Sequence, residues 1–176
     1  MDIFIIFTTV FILIITTSFF YNRFFMAPWI PTRKKDLERI SKIIDIKPWQ
    51  TYFEMWCWTW IVCNHIWKNN PESKIVWIEI SIWLFLYTKI KNLFFWPKNV
   101  KIIFWNAFKK DFSEFDFIYV YWLPTFLNKE IREKAEKEMK KWSKIISYEF
   151  KIKNWKWKIS EDVLEWNRKK IMIYTK

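Results

Sequence analysis

The segment that most constrains this fold is Trp56-Cys57-Trp58-Thr59-Trp60, which follows a predicted strand and precedes a predicted helix. A tight strand-to-helix turn needs positive φ angles or a missing Cβ, and glycine provides both. The chain has 15 tryptophans and no glycine, although ordinary usage of roughly 7% predicts about 12 glycines. We therefore hypothesise that most tryptophans stand where the organism places glycine, because UGA codons that it reads as glycine were translated as tryptophan.

The positions of other tryptophans favour the same hypothesis. Trp67 is predicted to follow a helix end, Trp96 precedes Pro97 in a turn, and Trp142 lies between a helix and a strand. Glycine is the preferred residue in such loops and helix ends. The alternative is a chain that is truly rich in tryptophan, from an AT-biased genome. The codons at 56, 58 and 60 separate the two, since UGG there would end the hypothesis.

Apolar runs and helical patterns alternate along the chain after residue 50. Strands are predicted at 51–55, 74–79, 100–104, 115–121 and 144–150. Helices are predicted at 61–66, at 82–91 with Ser81 as the N-cap, and at 129–141 with Asn128 as the N-cap. The segments 163–166 and 170–174 could form a closing antiparallel pair. This alternation predicts a doubly wound α/β sheet that is mostly parallel, with an antiparallel C-terminal edge.

The amino terminus has a different composition. Residues 3–21 carry no charge, and a helix of that length just spans a bilayer core. Basic residues follow this run and none precedes it, which by the positive-inside rule predicts a signal anchor with the remaining chain in the cytoplasm of a bacterial cell. A buried core helix is the alternative. A proline-punctuated linker follows, then an amphipathic helix around Ile40 with Thr32 as its predicted N-cap.

The residues that commonly bind metals are sparse. Cys57 and Cys63 are six residues apart, which matches no zinc pattern, and His65 is the only histidine. We therefore predict no metal site and find little support for a Ser-His-Asp triad. The formal net charge of +12 would suit anionic lipid or nucleic acid, but lysine-rich codon usage in an AT-rich genome would also produce it.

With glycine at positions 56, 58 and 60, the segment from Glu54 onward becomes E-M-G-C-G-T-G. This resembles the cofactor loop of class I methyltransferases, which use S-adenosylmethionine. Dinucleotide-binding loops have G-x-G-x-x-G instead, and position 61 is Ile. The resemblance implies S-adenosylmethionine as the cofactor. The residues that it places at the cofactor are Thr32, Glu54, Trp56, Cys57, Trp58, Thr59, Trp60, Glu79, Ile80, Asn106 and Ala107.

The resemblance also implies a role for the polar members of this set. Glu54 would orient the methionine part of the cofactor. Glu79, 25 residues later at the end of the second strand, would accept both ribose hydroxyls. Asn106-Ala107, after the third strand, would contact the adenine.

Further motifs narrow the resemblance. They are Pro-Trp-Ile-Pro-Thr at 28–32, Ile78-Glu79-Ile80-Ser81 with Trp83-Leu84, Tyr121-Trp122-Leu123-Pro124, and Ile145-Ile146-Ser147. Almost the whole chain resembles the small membrane-anchored lysine methyltransferases whose mitochondrial members modify the ATP synthase c-subunit and the adenine nucleotide translocase. The resemblance implies Tyr121 and Pro124 on the substrate side. No N-P-P-Y follows the fourth strand, which argues against amide and adenine substrates.

The sequence thus predicts a Rossmann-like class I methyltransferase sheet preceded by one transmembrane helix. The expected domains are an anchor at 1–22, a linker with an amphipathic helix at 23–50, and a methyltransferase domain at 51–176. The expected partners are a lysine of a membrane protein, and the lipid bilayer through residues 3–21. One alternative is an RNA or small-molecule methyltransferase of the same fold, although no length remains for an added RNA-binding module. The other is a noncatalytic, Trp-rich membrane-interface protein.

Overall fold

The computed structural model describes residues 3–25, 31–55, 60–91, 98–163 and 169–176, and side chains within these ranges except at 18–25 and 91. The chain divides into two compact units, Met1–Ile30 and Pro31–Lys176. The first unit contains helix α1 (Ile3–Phe25). The predicted domain boundaries after residues 22 and 50 stay a prediction.

The predicted transmembrane anchor over 3–21 is wrong. Among the described residues, no helix combines the length and the hydrophobicity needed to cross a bilayer. The localisation predicted from this anchor is therefore wrong as well: a single pass through the cell membrane with the catalytic domain in the cytoplasm. The predicted lipid partner loses its support for the same reason.

The second unit, within its described residues, is built on one seven-stranded sheet. Its strands are β1 (Thr51–Met55), β2 (Lys74–Glu79), β3 (Val100–Phe104), β4 (Phe117–Val120), β5 (Lys144–Tyr148), β6 (Ile159–Asp162) and β7 (Ile171–Thr175). Their order across the sheet is β3-β2-β1-β4-β5-β7-β6. The first five strands pair in parallel, and β7 is antiparallel to both β5 and β6. This confirms the predicted Rossmann-like sheet with an antiparallel C-terminal edge.

The central parallel strands β1, β4 and β5 are buried almost throughout, because side chains pack on both faces of the sheet. On one face, Tyr52 and Trp77 belong to a core cluster that also contains side chains of α2 (Leu37–Ile44) and α3 (Ile61–Asn69). Elsewhere in β1, the ring of Phe53 stacks on Phe115 at 4.4 Å. All four residues of β4 are buried. Strands covered on both faces have near-continuous apolar sequences, so their positions could be predicted from sequence.

The remaining helices are α4 (Ile82–Lys91) and a run made of α5 (Pro124–Phe126), a π-helical segment (Leu127–Ile131) and α6 (Arg132–Glu138). Three predicted helix ends are wrong. Trp67 lies inside α3, because α3 continues to Asn69. The last helical run begins at Pro124 rather than after Asn128, whose side-chain amide donates to the Pro124 carbonyl at 2.5 Å.

Thr32 is the third corrected helix end, because it does not cap a helix. Arg33 is the N-cap of the short 3₁₀ turn Lys34–Asp36 that leads into α2, with no side-chain cap. The Thr32 hydroxyl is instead hydrogen-bonded to the Tyr119 hydroxyl of β4 at 2.8 Å. Thr32 therefore joins the segment before α2 to the centre of the sheet.

A buried polar network also ties α2 to the C-terminal strands. Asp36 is fully buried and accepts hydrogen bonds from Arg39 Nη1 at 2.9 Å and from the Tyr148 hydroxyl at 2.6 Å. Arg39 also donates to the side chain and the backbone carbonyl of Asp162, both at 2.9 Å, and to the Lys169 carbonyl at 3.1 Å. Burial first, and then Asp36, raise the pKa of Tyr148, so this phenol stays protonated as a donor.

Candidate functional site

The candidate site lies at the carboxyl ends of the parallel strands. The strand order reverses between β1 and β4, and in open α/β sheets ligands bind in the crevice at such a switch point. The structure brings polar residues to this edge of the sheet from five strands. They are Glu54 in β1, Glu79 at the end of β2, Asn106 after β3, Tyr121 after β4 and Glu149 after β5.

Glu54 is buried near the end of β1, with 3% of its surface exposed. The Tyr52 hydroxyl, two residues earlier and hence on the same face of the strand, donates to Glu54 Oε2 at 3.4 Å. Burial, and then the charge of Glu54, raise the pKa of the Cys63 thiol in α3. A carboxylate therefore lies beside the start of α3, where the sequence predicts an acid that orients the cofactor.

Glu79 ends β2 and is also 3% exposed. Burial raises the pKa of its carboxyl to about 7, against the lowering effect of the Ser81 and Ile80 backbone N–H groups. The Ser81 N–H donates to Oε1 at 2.8 Å. The carboxyl is thus held in place at a strand end, where it can accept hydroxyl groups once it is ionised.

With Glu79 as the predicted ribose ligand, its pKa of about 7 predicts a pH-dependent cofactor affinity. In the protein with glycine at positions 56, 58 and 60, we expect the affinity for S-adenosylmethionine to rise about tenfold from pH 6 to pH 8, because the carboxyl must lose its proton to accept two ribose hydroxyls. Glu79→Gln should remove this dependence and hold the affinity at or below the pH 6 value of the parent. Isothermal calorimetry at both pH values measures this. A parent protein with the same affinity at pH 6 and pH 8 would contradict the assignment of Glu79 to the ribose.

Asn106 and Ala107 follow β3 beside Glu79. The Trp105 N–H donates to the Glu79 carbonyl at 3.1 Å, which joins the ends of β2 and β3. The Asn106 side chain accepts from the Phe108 N–H at 2.9 Å, and Ala107 is fully buried. The backbone here is therefore fixed next to the predicted ribose carboxylate, as an adenine-contacting segment would need.

Trp60 provides a test of whether the loop fits the cofactor. Trp56, Cys57, Trp58 and Thr59 lie outside the described residues. Trp60 precedes α3 with φ of 44°, in the left-handed region where a bulky residue is an outlier and glycine is at ease. Its indole stacks on Trp77 at 6.4 Å. The two buried carboxylates and the left-handed backbone at position 60 fit S-adenosylmethionine. The indole at position 60 does not belong to such a loop, which would have glycine there.

The predicted substrate-side residues lie at the end of β4 and just beyond it. Tyr121 directly follows β4, and its hydroxyl donates to Glu149 Oε2 at 2.8 Å. Burial raises the pKa of Tyr121, and the charge of Arg33 opposes this. Pro124 is exposed at the first position of α5. The role of both residues toward the substrate stays a prediction.

Sequence reasoning missed Glu149. The predicted fifth strand extended to residue 150, whereas β5 ends at Tyr148. Glu149 is thus the first residue after a parallel strand, and it has a positive φ of 71°. The rule that singled out Glu79, a carboxylate at a strand end, would have found Glu149 as well if the strand boundary had been known.

Comparisons with known proteins agree with this geometry. No family model matches the chain. The chain is 27% identical over 134 residues to a protein-lysine N-methyltransferase of Saccharolobus islandicus (strain REY15A), covering 73% of this chain and 80% of the relative.

Among solved structures, an RNA methyltransferase from Salinibacter ruber in complex with S-adenosyl-L-homocysteine superposes with a TM-score of 0.71 at 17% identity, covering 83% of this chain and 93% of the other. A precorrin-6y C5,15-methyltransferase from Geobacter metallireducens GS-15 gives 0.60 at 11% identity, covering 84% and 90%. The structural likenesses show the fold, and the sequence relative adds the reaction class. The chain is an S-adenosylmethionine-dependent methyltransferase.

Proposed function

We propose that this methyltransferase transfers the methyl group to the side-chain nitrogen of a protein lysine. The observation that carries the proposal is the protein-lysine N-methyltransferase relative, which aligns with most of both chains. The motifs Pro31-Thr32 and Tyr121-Trp122-Leu123-Pro124 support it, since they resemble those of lysine methyltransferases. The noncatalytic alternative is set aside, because the chain is an enzyme of this class.

The arrangement of side chains indicates what each part of the site would do. The cofactor supplies a methyl group on a sulfonium. Glu79 would bind the ribose hydroxyls, and Glu54 would orient the methionine part from its buried position in β1. Thr32, fixed to Tyr119, would line the cofactor from the segment before α2. Catalysis by such a site consists mainly of positioning the amine in line with the methyl group.

We infer further that glycine stands at most tryptophan positions of the natural polypeptide. Two of the five described residues with positive φ are tryptophans, Trp60 at 44° and Trp142 at 72°. In addition, the buried indole N–H groups of Trp77 and Trp155 have no hydrogen-bond partner within the described part of the chain, and leaving such a donor unsatisfied costs about 1–3 kcal/mol. Mass spectrometry of the protein purified from its own organism would decide the identity of these residues.

RNA is the second candidate substrate. The Salinibacter ruber neighbour is an RNA methyltransferase, and the net charge of +12 would favour contact with phosphates. RNA is the less favoured substrate, because the relative found by sequence is a protein-lysine N-methyltransferase.

The substrate class can be tested with the protein that has glycine at positions 56, 58 and 60 and with cofactor that carries a labelled methyl group. We expect label to enter protein from a cell lysate, to survive ribonuclease, and to appear as methyllysine after hydrolysis. A variant with weakened cofactor binding, Glu79→Gln, provides the background. Label found in RNA and absent from protein would overturn the lysine assignment.

A further inference from the structure

A carboxylate and a phenol form a pair beside the switch point. Tyr121 directly follows β4, and Glu149 directly follows β5. These strands are parallel neighbours, with Val120 opposite Ser147. Because the carboxyl ends of neighbouring parallel strands share one edge of the sheet, the Tyr121–Glu149 pair lies on the same edge as Glu54 and Glu79.

A primary ammonium group is already bound to this pair. The Lys169 Nζ contacts Glu149 Oε1, while the Tyr121 hydroxyl donates to Oε2 at 2.8 Å. The side chains of Lys169 and Glu149 are 30% and 24% exposed. Among the described residues, each oxygen of the carboxylate therefore has one donor, and one of these donors is a primary ammonium, the group that a substrate lysine would bring.

Aromatic rings surround the phenol of the pair. The Tyr121 ring packs edge-on against Tyr148 at 4.8 Å and stacks on Phe150 at 6.1 Å. Apolar ring faces next to a carboxylate suit a side chain with an aliphatic stem and a cationic end. The chemistry of the site therefore matches a lysine side chain better than a phosphate, which the carboxylate would repel.

The backbone keeps the carboxylate at this place. Glu149 has φ of 71°, and its N–H donates to the Lys170 carbonyl at 2.7 Å. A non-glycine residue in this region costs free energy, and such residues persist where surrounding contacts fix them. The same segment thus positions both Glu149 and the neighbouring Lys169.

We propose that Glu149 and Tyr121 bind the ammonium group of the substrate lysine, and that Lys169 occupies this site until the substrate displaces it. The proposal rests on the proposed lysine specificity. After the bound ammonium loses one proton to water, its nitrogen lone pair forms the N–C bond with the methyl group. The S–C bond breaks, its electron pair returns to sulfur, and the methylated amine remains as an alkylammonium.

Two substitutions test the proposal in opposite directions. Both are made in the full chain with glycine at positions 56, 58 and 60, the form expected to bind the cofactor. Glu149→Gln should raise the KM for the protein substrate about tenfold, the lower range for a lost charged hydrogen bond. Lys169→Met should lower this KM about threefold, because an ion pair of this exposure is worth little and the competitor is gone. In Lys169→Met kcat should stay within about twofold, since the groups that bind the reacting nitrogen are unchanged.

Two neighbouring substitutions serve as matched controls. Lys170→Met removes the same charge from the adjacent residue, and Glu161→Gln removes a carboxylate of β6 that pairs with Lys151. Neither should change KM. Calorimetry with S-adenosylmethionine checks that each variant is folded, and the cofactor affinity should equal that of the parent.

The outcomes separate this inference from the proposed function. If the parent labels lysine and Glu149→Gln and Lys169→Met leave KM unchanged, the ammonium site is wrong and the lysine assignment stands. If the parent labels RNA and no lysine, both are wrong. If Lys169→Met raises KM as much as Glu149→Gln does, Lys169 holds the carboxylate in place rather than competing for it, and the displacement is refuted.

Discussion

Replacement of Trp56, Trp58 and Trp60 with glycine should create S-adenosylmethionine binding that the protein with tryptophan at these positions lacks. The expected difference in Kd is about 100-fold or more, because each indole would fill space that the cofactor needs beside the backbone, and overpacking at even one position costs about 1–3 kcal/mol. The positive φ of Trp60 shows that the backbone there already has a conformation that glycine prefers. Isothermal calorimetry with both proteins measures the difference.

Three tryptophans outside the loop provide the control. Trp49, Trp142 and Trp157 are 77%, 74% and 36% exposed. Their replacement with glycine changes the composition by the same amount and should leave cofactor binding undetectable. At position 142, with φ of 72°, glycine should also relieve backbone strain. The hypothesis fails if the protein with all its tryptophans binds the cofactor as tightly as the glycine variant.

Loss of the Asp36 carboxylate should cause the largest loss of stability. Asp36 is fully buried and accepts from Arg39 and Tyr148. Removal of one partner from a buried ion pair costs about 3–5 kcal/mol, because the other charge stays buried without compensation. We expect Asp36→Ala to lie near the lower value, since Arg39 keeps its ion pair with Asp162. Equilibrium unfolding in denaturant gives this difference in the free energy of unfolding.

Two further substitutions, one in an exposed ion pair and one at the Tyr148 hydroxyl, give losses of stability with which the Asp36→Ala value can be compared. Glu114 pairs with Lys110 four residues earlier and is half exposed, so Glu114→Ala should cost less than about 0.5 kcal/mol. Tyr148→Phe removes the hydrogen bond to Asp36 and leaves the buried carboxylate in place, and should cost about 1–2 kcal/mol. An Asp36→Ala variant as stable as Glu114→Ala would show that the network does not tie α2 to the C-terminal strands.

The sheet was predicted more accurately than the helix ends, for a physical reason. The bounds predicted for the first three strands agree with β1, β2 and β3, because each is a short run rich in β-branched and aromatic residues between turn or loop segments. Helix ends depend on individual hydrogen bonds. Thr32 is a good N-cap by residue type, yet its hydroxyl bonds to Tyr119, which is 87 residues away. Distant contacts of this kind leave no local pattern.

The candidate site also contains residues that the sequence predicted and one that it did not. Glu54 and Glu79 were predicted because a carboxylate at the end of an apolar strand is visible in the sequence. Glu149 was not, because the strand boundary before it was placed two residues too late. Its role depends on Tyr121 and Lys169, which only the pairing of β4 with β5 and the return of the chain through β7 bring to it.

The sequence by itself determined the alternation of strands and helices, the carboxylates at the ends of β1 and β2, and the shortage of glycine at positions that need it. These are properties of neighbouring residues, so they are present before the chain folds. Only the tertiary structure decided which polar groups meet across strands, among them the Asp36 network and the Tyr121–Glu149 pair, because those contacts join residues more than 25 positions apart. It also decided against a membrane-spanning helix among the described residues.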